Sequence, residues 1–321
     1  MVSVIDGRKT TNEDIVAAVE GRKAGVLHLT HNDLDAAGAD AVLRMKCGKI
    51  TTIFSSVGRY TAILALIAGC KGRGDVLSIS DLGYQKGVEG IVKTAAGNGW
   101  KVEWRDHHRW TDAETALVEP HCSLLHIDTT VCATGVVARD IMPGDGTAAE
   151  VARVVCDYDL WKKEDPRSDV LGQVTQRRQH LTYVRNLLMQ GKFTDRRVAG
   201  VYAEMKAEMD ADIQASIREA NIYGKKYRIA FAPLHGYPSE TAHAIRDTLG
   251  TDIEVIVSSN GRFSIRSVPP VSHLIAREFG GGGHPNAAGG NLPFTLIDRF
   301  FFWLLKRNRR FDDLVAVAEA I

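Results

Sequence analysis

Three short clusters and one lone carboxylate carry residue types that bind first-row metal ions. His31, Asp33 and Asp35 alternate in THNDLDAAG. Asp106, His107 and His108 are consecutive in EWRDHHRW, Asp157 and Asp159 alternate in VVCDYDLW, and Asp81 stands alone in SISDLGY. Alternate residues of an extended chain point the same way, so His31, Asp33 and Asp35 project one imidazole and two carboxylates toward one space. Taken singly, each cluster has an ordinary explanation as a polar turn or a helix cap. Taken together, imidazole and carboxylate suit Mn²⁺ or a similar first-row ion. A bridging carboxylate can hold two such ions roughly 3.5–4 Å apart, a pair that activates water and stabilises charge developing on phosphate.

A second pattern lies near the other end of the chain. Gly280–Gly283 run straight into His284-Pro285-Asn286-Ala287-Ala288-Gly289. Consecutive glycines cost backbone entropy on ordering and are useful where the chain must approach something closely. Their N–H groups can cradle an anion, with His284 as an added donor. Arg266, in FSIRS, reads on its own as a surface arginine.

These residues must be positioned by regular elements. In the first half, short apolar runs (Val26–Thr30, Thr52–Ser55, Asp75–Ser80, Lys101–Trp104, His121–Ile127) alternate with helical patterns. That alternation predicts a parallel, doubly wound α/β sheet. Ligands of such sheets sit outside the carboxyl ends of the strands, where the His31, Asp81 and Asp106 clusters fall. The DYD cluster follows a short apolar run and is expected at a similar place. A charge-rich helical stretch follows, and after Tyr227 a second, smaller α/β pattern begins, ending in the glycine run and an aromatic-rich helix, DRFFFWLLKR. The expected organisation is a domain at 1–185, a helical connector at 186–225 and a second domain at 226–321. Trp104, Trp110, Trp161 and Phe300–Trp303 are expected in cores. Lys306, Arg307, Arg309 and Arg310 are expected as a solvated helix end.

The ordered set THNDLDAAG, Asp81, RDHHRW and DYDLW resembles motifs I to IV of the DHH phosphoesterases. GGGGHPNAAGG is similar to the signature of the DHHA1 domain that accompanies them. The superfamily includes RecJ exonucleases, nanoRNases, family II pyrophosphatases and cyclic-dinucleotide phosphodiesterases, and the resemblance covers nearly the whole chain. It implies that His31 and Asp33 hold one metal ion and that Asp35, His107 and Asp157 hold another, bridged by Asp81. Asp159 and Asp128 are the alternatives to Asp157. It further implies catalytic roles for Asp81, His107 and His108, with His108 facing the substrate phosphate and Asp106 orienting a histidine from behind. Arg266, Gly281, Gly282, Gly283 and His284 would bind substrate across an interdomain cleft. Two divalent ions are expected, Mn²⁺ first, with Mg²⁺ and Co²⁺ as alternatives. Motif I has Ala36-Ala37-Gly38 where many relatives have glycine directly after the second aspartate.

Composition narrows the substrate. The 321 residues carry a formal net charge of +1, whereas proteins that grip long duplexes usually show a large basic excess. A short substrate is favoured. The expected activity is two-metal hydrolysis of small nucleotides or short single-stranded RNA or DNA. A small-phosphate hydrolase acting on pyrophosphate, polyphosphate or a 3′,5′-bisphosphate nucleotide is the alternative, and a non-catalytic nucleotide-binding relative comes last. The pyrophosphatase branch generally lacks the GGGGHPNAAGG run, which argues against that alternative. The five cysteines have no C-x-x-C pair and read as reduced thiols of a cytoplasmic protein. No secretory segment or membrane partner is expected, and a homodimer is.

Overall fold

Val26–Thr30 folds as a strand, buried from its second residue onward in the pattern expected of a central parallel strand. In the computed structural model, which describes residues 3–5 and 8–321, contacts divide the chain into two compact units, one ending at Ala203 and one running from Glu204 to Ile321. The division falls inside the stretch expected as a connector.

The first unit runs β1 (Ser3–Ile5), β2 (Arg8–Thr10), α1 (Asn12–Glu20), β3 (Val26–Thr30), α2 (Leu34–Cys47), β4 (Thr51–Phe54), α3 (Tyr60–Gly69), β5 (Val76–Ser80), α4 (Val88–Gly97), β6 (Lys101–Asp106), α5 (Asp112–Val118), β7 (Leu124–Ile127), α6 (Ala133–Ile141), α7 (Gly146–Asp159), α8 (Pro166–Gln176) and α9 (Leu181–Leu188). Its sheet has the order β2-β1-β4-β3-β5-β6-β7. Strands β3 to β7 are parallel. The short β1 and β2, unforeseen in the sequence, pair antiparallel and extend the β4 edge.

Register is what builds the site. Thr30 pairs with Ser80, and Ser80 with Arg105. The residues that follow, His31, Asp81 and Asp106-His107-His108, therefore emerge side by side at one end of the sheet.

Apolar side chains of β3, β4, β5 and β6 pack with α1, α3 and α4 in one core, while α2, α6, α7, α8 and α9 share a second. Beneath α2 the sheet is polar. His28 Nδ1 lies 2.9 Å from Asp40 Oδ1, Thr52 donates to Asp40 at 2.6 Å, and Arg44 and Arg185 donate to its other oxygen at 2.9 and 2.8 Å. A buried carboxylate persists only when paired in this way. Gly38 explains the AAG of motif I: a Cβ there would lie 2.4 Å from Thr134 Oγ1, so glycine lets α2 reach α6.

Helix α10 (Arg196–Arg218) leads into the second unit, which continues β8 (Asn221–Tyr223), β9 (Ile229–Pro233), α11 (Pro238–Leu249), β10 (Ile253–Val257), β11 (Arg262–Ser267), α12 (Ser272–Glu278), β12 (Gly282–His284), β13 (Ala287–Asn291), α13 (Leu296–Leu305) and α14 (Arg310–Ala320). Its sheet order is β12-β13-β11-β10-β9-β8. Only β9 and β10 are parallel. Phe231 stacks on Phe311 at a centroid separation of 4.2 Å in its core.

The glycine run is part of this sheet, not a free loop. A Cβ on Gly281 would lie 1.9 Å from Gly289 O, and Gly283, at φ +142°, would bring one to 2.6 Å from Ala287 O. What these glycines approach closely is their own hairpin partner.

Two further expectations are corrected. Cys132 and Cys156 form a disulfide, because α6 packs on α7 and brings their Cα atoms to 5.1 Å. Cys47, Cys70 and Cys122 are free. Phe300, Phe301 and Trp303 are exposed on α13, and only Phe302 of that aromatic run turns inward. Trp104 and Trp110 are buried as expected, whereas Trp161 is exposed beneath Lys163.

Candidate metal centre

His31 follows β3 directly. Its Nδ1 lies 2.7 Å from Asp33 Oδ2 and 3.6 Å from Asp81 Oδ2. Asp33 also serves as the N-cap of α2, accepting from the Ala36 N–H at 3.1 Å. Asp35 sits in the first turn of α2, fully enclosed, and its two oxygens accept the Ala133 and Thr134 N–H groups at 2.7 Å each. Those amides open α6, where the helix dipole favours negative charge.

Asp81 stands between two histidines. Its Oδ1 is 3.3 Å from His107 Nε2 and its Oδ2 faces His31. Its backbone is left-handed, at φ 54°, a conformation that costs a non-glycine residue about 1–3 kcal/mol and collects at functional sites. His107 reaches Asp35 Oδ2 at 3.7 Å through Nε2 and Asp159 Oδ2 at 3.6 Å through Nδ1. Asp106, buried at the end of β6, receives His108 Nδ1 and Trp110 Nε1 at 2.8 Å each. Gly83 leaves room for His108: a Cβ there would lie 3.1 Å from the His108 Cβ.

Asp157 is elsewhere. The DYD cluster ends helix α7 rather than a strand, because Val151, Val154 and Val155 bury at helical spacing. Residues two apart on a helix do not share a face. Asp157 accordingly turns away to the Ser168 hydroxyl and to the Glu164 and Asp165 amides. Asp159 is the one that reaches His107. Asp128, the other alternative, binds Thr130 and Arg139 at the surface.

Three overlapping sets of potential ligands result: His31, Asp33 and Asp81; Asp81, His107 and His108; and Asp35, His107 and Asp159. In each, the ligand atoms lie within 4.8 Å of one another. The electrostatics fit a cation. Burial, reinforced by Asp81 and Asp159, pushes Asp35 well above the usual carboxylate range. Asp81 is raised by burial and by Asp33, and burial, opposed by His107, brings Asp159 up to about 6. For His31 burial works downward, but its hydrogen bond to Asp33 and the nearby charge of Asp81 prevail and carry it up to about 10. His107 rises against burial to about 9 through Asp81, Asp35 and Asp159. Asp81 Oδ2, though buried, has no hydrogen-bond partner among the described residues. Crowded buried carboxylates and an orphaned oxygen are relieved by divalent positive charge.

Sequence reasoning missed the Ala133 and Thr134 amides, which as backbone groups leave no trace in residue identity. It also missed a cavity of about 290 Å³ beside Asp33, lined by Tyr158, Gln176 and Arg178 among others. An apolar cavity of about 430 Å³ between α6 and α7 contains none of the ligand-set residues.

In the second unit, Arg266 lies half-buried on β11. It donates to Ser239 Oγ at 2.8 Å and to its neighbour's carbonyl, Ile265 O, at 3.0 Å. Burial lowers its pKa, yet a guanidinium stays charged. A groove of about 600 Å³ runs along Arg262, Ser264, Gly280, Gly281, Gly289 and neighbouring residues. His284 is exposed at the end of β12.

This architecture is similar in fold to solved structures that include a DHH domain. No protein-family model and no curated protein sequence matches the chain; solved structures do. The DHH domain of a member of a ribosomal-protein family superposes with TM-score 0.57 at 14% identity, over 92% of this chain and 90% of its own. The pGpG-specific phosphodiesterase PggH from Vibrio cholerae gives TM-score 0.54 at 12% identity, over 88% and 98%. An exonuclease RecJ bound to manganese gives 0.53 at 14%, over 96% and 94%. At such identities the likeness is one of fold.

Proposed function

We propose that the protein is a metal-dependent phosphoester hydrolase acting on small nucleotides or short single strands. The observation that carries this reading is Asp81: a buried, strained carboxylate with an orphaned oxygen, set between His31 and His107 at the ends of adjacent parallel strands. His31, Asp33 and Asp81 would hold one divalent ion. Asp35, His107 and Asp159, in place of Asp157, would hold the other, with Asp81 shared. Bound there, two such ions supply an activated water and neutralise phosphate charge.

The chain's own residues supply the rest. The Ala133 and Thr134 amides fix both oxygens of Asp35. Asp106 holds the His108 ring by Nδ1 and, through that hydrogen bond, raises its pKa. His108 can therefore present Nε2 as a proton donor to a phosphate or leaving oxygen. Arg266, braced by Ser239 and without an ion-pair partner among the described residues, is suited to a phosphate oxygen. The glycine hairpin and His284 belong to the same substrate-binding role.

A net charge of +1 favours short substrates, and one fold neighbour is a phosphodiesterase for pGpG, a linear dinucleotide. The test is product analysis after incubation with Mn²⁺, Mg²⁺ or Co²⁺. The substrate panel holds a linear dinucleotide, a 3′,5′-bisphosphate nucleotide, a cyclic dinucleotide, pyrophosphate, and short and long RNA and DNA strands. Hydrolysis of pyrophosphate alone would replace this reading with the small-phosphate one, and no hydrolysis with any metal would refute the enzyme.

A further inference from the structure

Helix α13 is folded inside out. Every apolar residue in it except Phe302 is exposed, Leu296 at 81% and Trp303 at 67%. It is tied to its unit by a narrow stripe: Phe302 enters the core, and Asp298 closes a capping box with Thr295 and accepts from Asn308 through its backbone carbonyl. At about 100° per residue, the exposed apolar positions sweep an arc of roughly 200°. An exposed apolar face this concentrated marks an interaction surface.

The chemistry around the helix indicates what covers it. From Leu296 to Asp313 there are five basic residues (Arg299, Lys306, Arg307, Arg309, Arg310) against three acidic ones (Asp298, Asp312, Asp313), and Asp298 is buried. A cavity of about 570 Å³ beside the helix joins the apolar side chains of Ile297, Phe301 and Leu305 to Arg307 and Arg309, with Asp298 and Asp312 also in its lining. Aromatic and leucine side chains backed by arginine and lysine are the pattern of helices that lie in the plane of a lipid interface. With ten residues the helix is about 15 Å long, half the hydrocarbon thickness. Among the described residues no helix is long and apolar enough to cross a membrane.

We infer that α13 and the basic segment behind it dock the protein on an anionic lipid bilayer, against the expectation of no membrane partner. The hydrophobic arc enters the headgroup region, and Lys306, Arg307 and Arg309, which within the chain reach Glu219, Asn221 and Asp298, meet acidic headgroups.

The test is co-sedimentation of the full chain with phosphatidylcholine vesicles, with and without phosphatidylglycerol. Binding is expected with the anionic vesicles, weakening as salt rises, together with quenching of tryptophan emission by brominated lipid that is reduced in Trp303→Phe. The variant Phe300→Ser/Trp303→Ser, altered only at exposed positions, is expected to keep its circular dichroism and melting temperature and to bind about tenfold more weakly or worse. Lys306→Gln/Arg307→Gln/Arg309→Gln is expected to lose the preference for anionic vesicles. Three outcomes overturn the proposal: no sedimentation with either vesicle, equal binding to both, or a dimer in light scattering that becomes monomeric on Trp303→Ser without any vesicle binding.

Discussion

Asp159 and His107 face each other at 3.6 Å across the end of helix α7 and the end of strand β6. Asp157, two residues earlier, is spent on the turn that follows, holding Ser168 and two backbone amides. The pair of carboxylates therefore separates by role. Asp159→Asn should lower bound metal and activity while leaving the fold intact. Asp157→Asn should keep its metal and lose stability, by about 1–3 kcal/mol for a buried acceptor whose donors are left unsatisfied. Metal analysis and urea unfolding of both variants decide the matter, and loss of metal in Asp157→Asn would restore it as the ligand.

Asp81 predicts a trade between stability and function. Its left-handed backbone and buried, unpartnered oxygen both burden the metal-free protein. Asp81→Gly, which tolerates positive φ, should raise the free energy of metal-free unfolding by about 1 kcal/mol, relief of strain outweighing the added entropy of the unfolded glycine, and abolish metal-dependent hydrolysis. Calorimetry with chelator and then with Mn²⁺ tests it: wild type should gain stability from the ion, and the variant much less. A variant less stable than wild type without metal would contradict this account.

Arg266 lies in a different unit from the carboxylates. Arg266→Ala should raise KM with metal stoichiometry unchanged, consistent with losing a charge-assisted contact of about 1.5–3 kcal/mol. Ser239→Ala, which removes only the brace at 2.8 Å, should have a smaller effect in the same direction. Unchanged kinetics in both would remove Arg266 from the substrate site.

The Asp40 network sets an acid limit. Burial alone would raise Asp40, but His28, Arg44 and Arg185 hold it well below the usual carboxylate range. A depressed folded-state pKa contributes stability that is present above the unfolded value, about 3.9, and is lost as pH falls below it. Asp40→Asn should therefore be several kcal/mol less stable than wild type at neutral pH, and the gap should narrow as pH drops through about 4 and below. Urea midpoints of both proteins along a pH series measure it, and a gap independent of pH would exclude the linkage.

The parallel sheet was legible because its strands are short apolar runs bounded by turn residues, and β3 falls on the residues its pattern indicates. His31, Asp81 and His107 were legible for the same reason, each lying just past a strand. The three-residue strands β1 and β2 are too short to show a period. The DYD cluster misled because VARVVC carries a short apolar run as well as a helical stripe, and only packing selects the helix. The partnership of Cys132 with Cys156 is a matter of how two helices cross, which spacing does not encode. On α13 the composition pointed inward while the structure turns it outward.

The glycine hairpin bears on how a substitution scan of this protein should be read. Gly281 and Gly283 cannot accept a side chain because their own partner strand stands in the way, whether or not a substrate ever arrives. Intolerance at those two positions reports folding. Gly282 lies between them with open space where its Cβ would go, so it is the one informative position in the run. If Gly282→Ala folds normally yet weakens turnover, the obstructed space belongs to a ligand, and if it is silent, GGGGHPNAAGG is a rule about the sheet and the phosphate must be held by side chains alone.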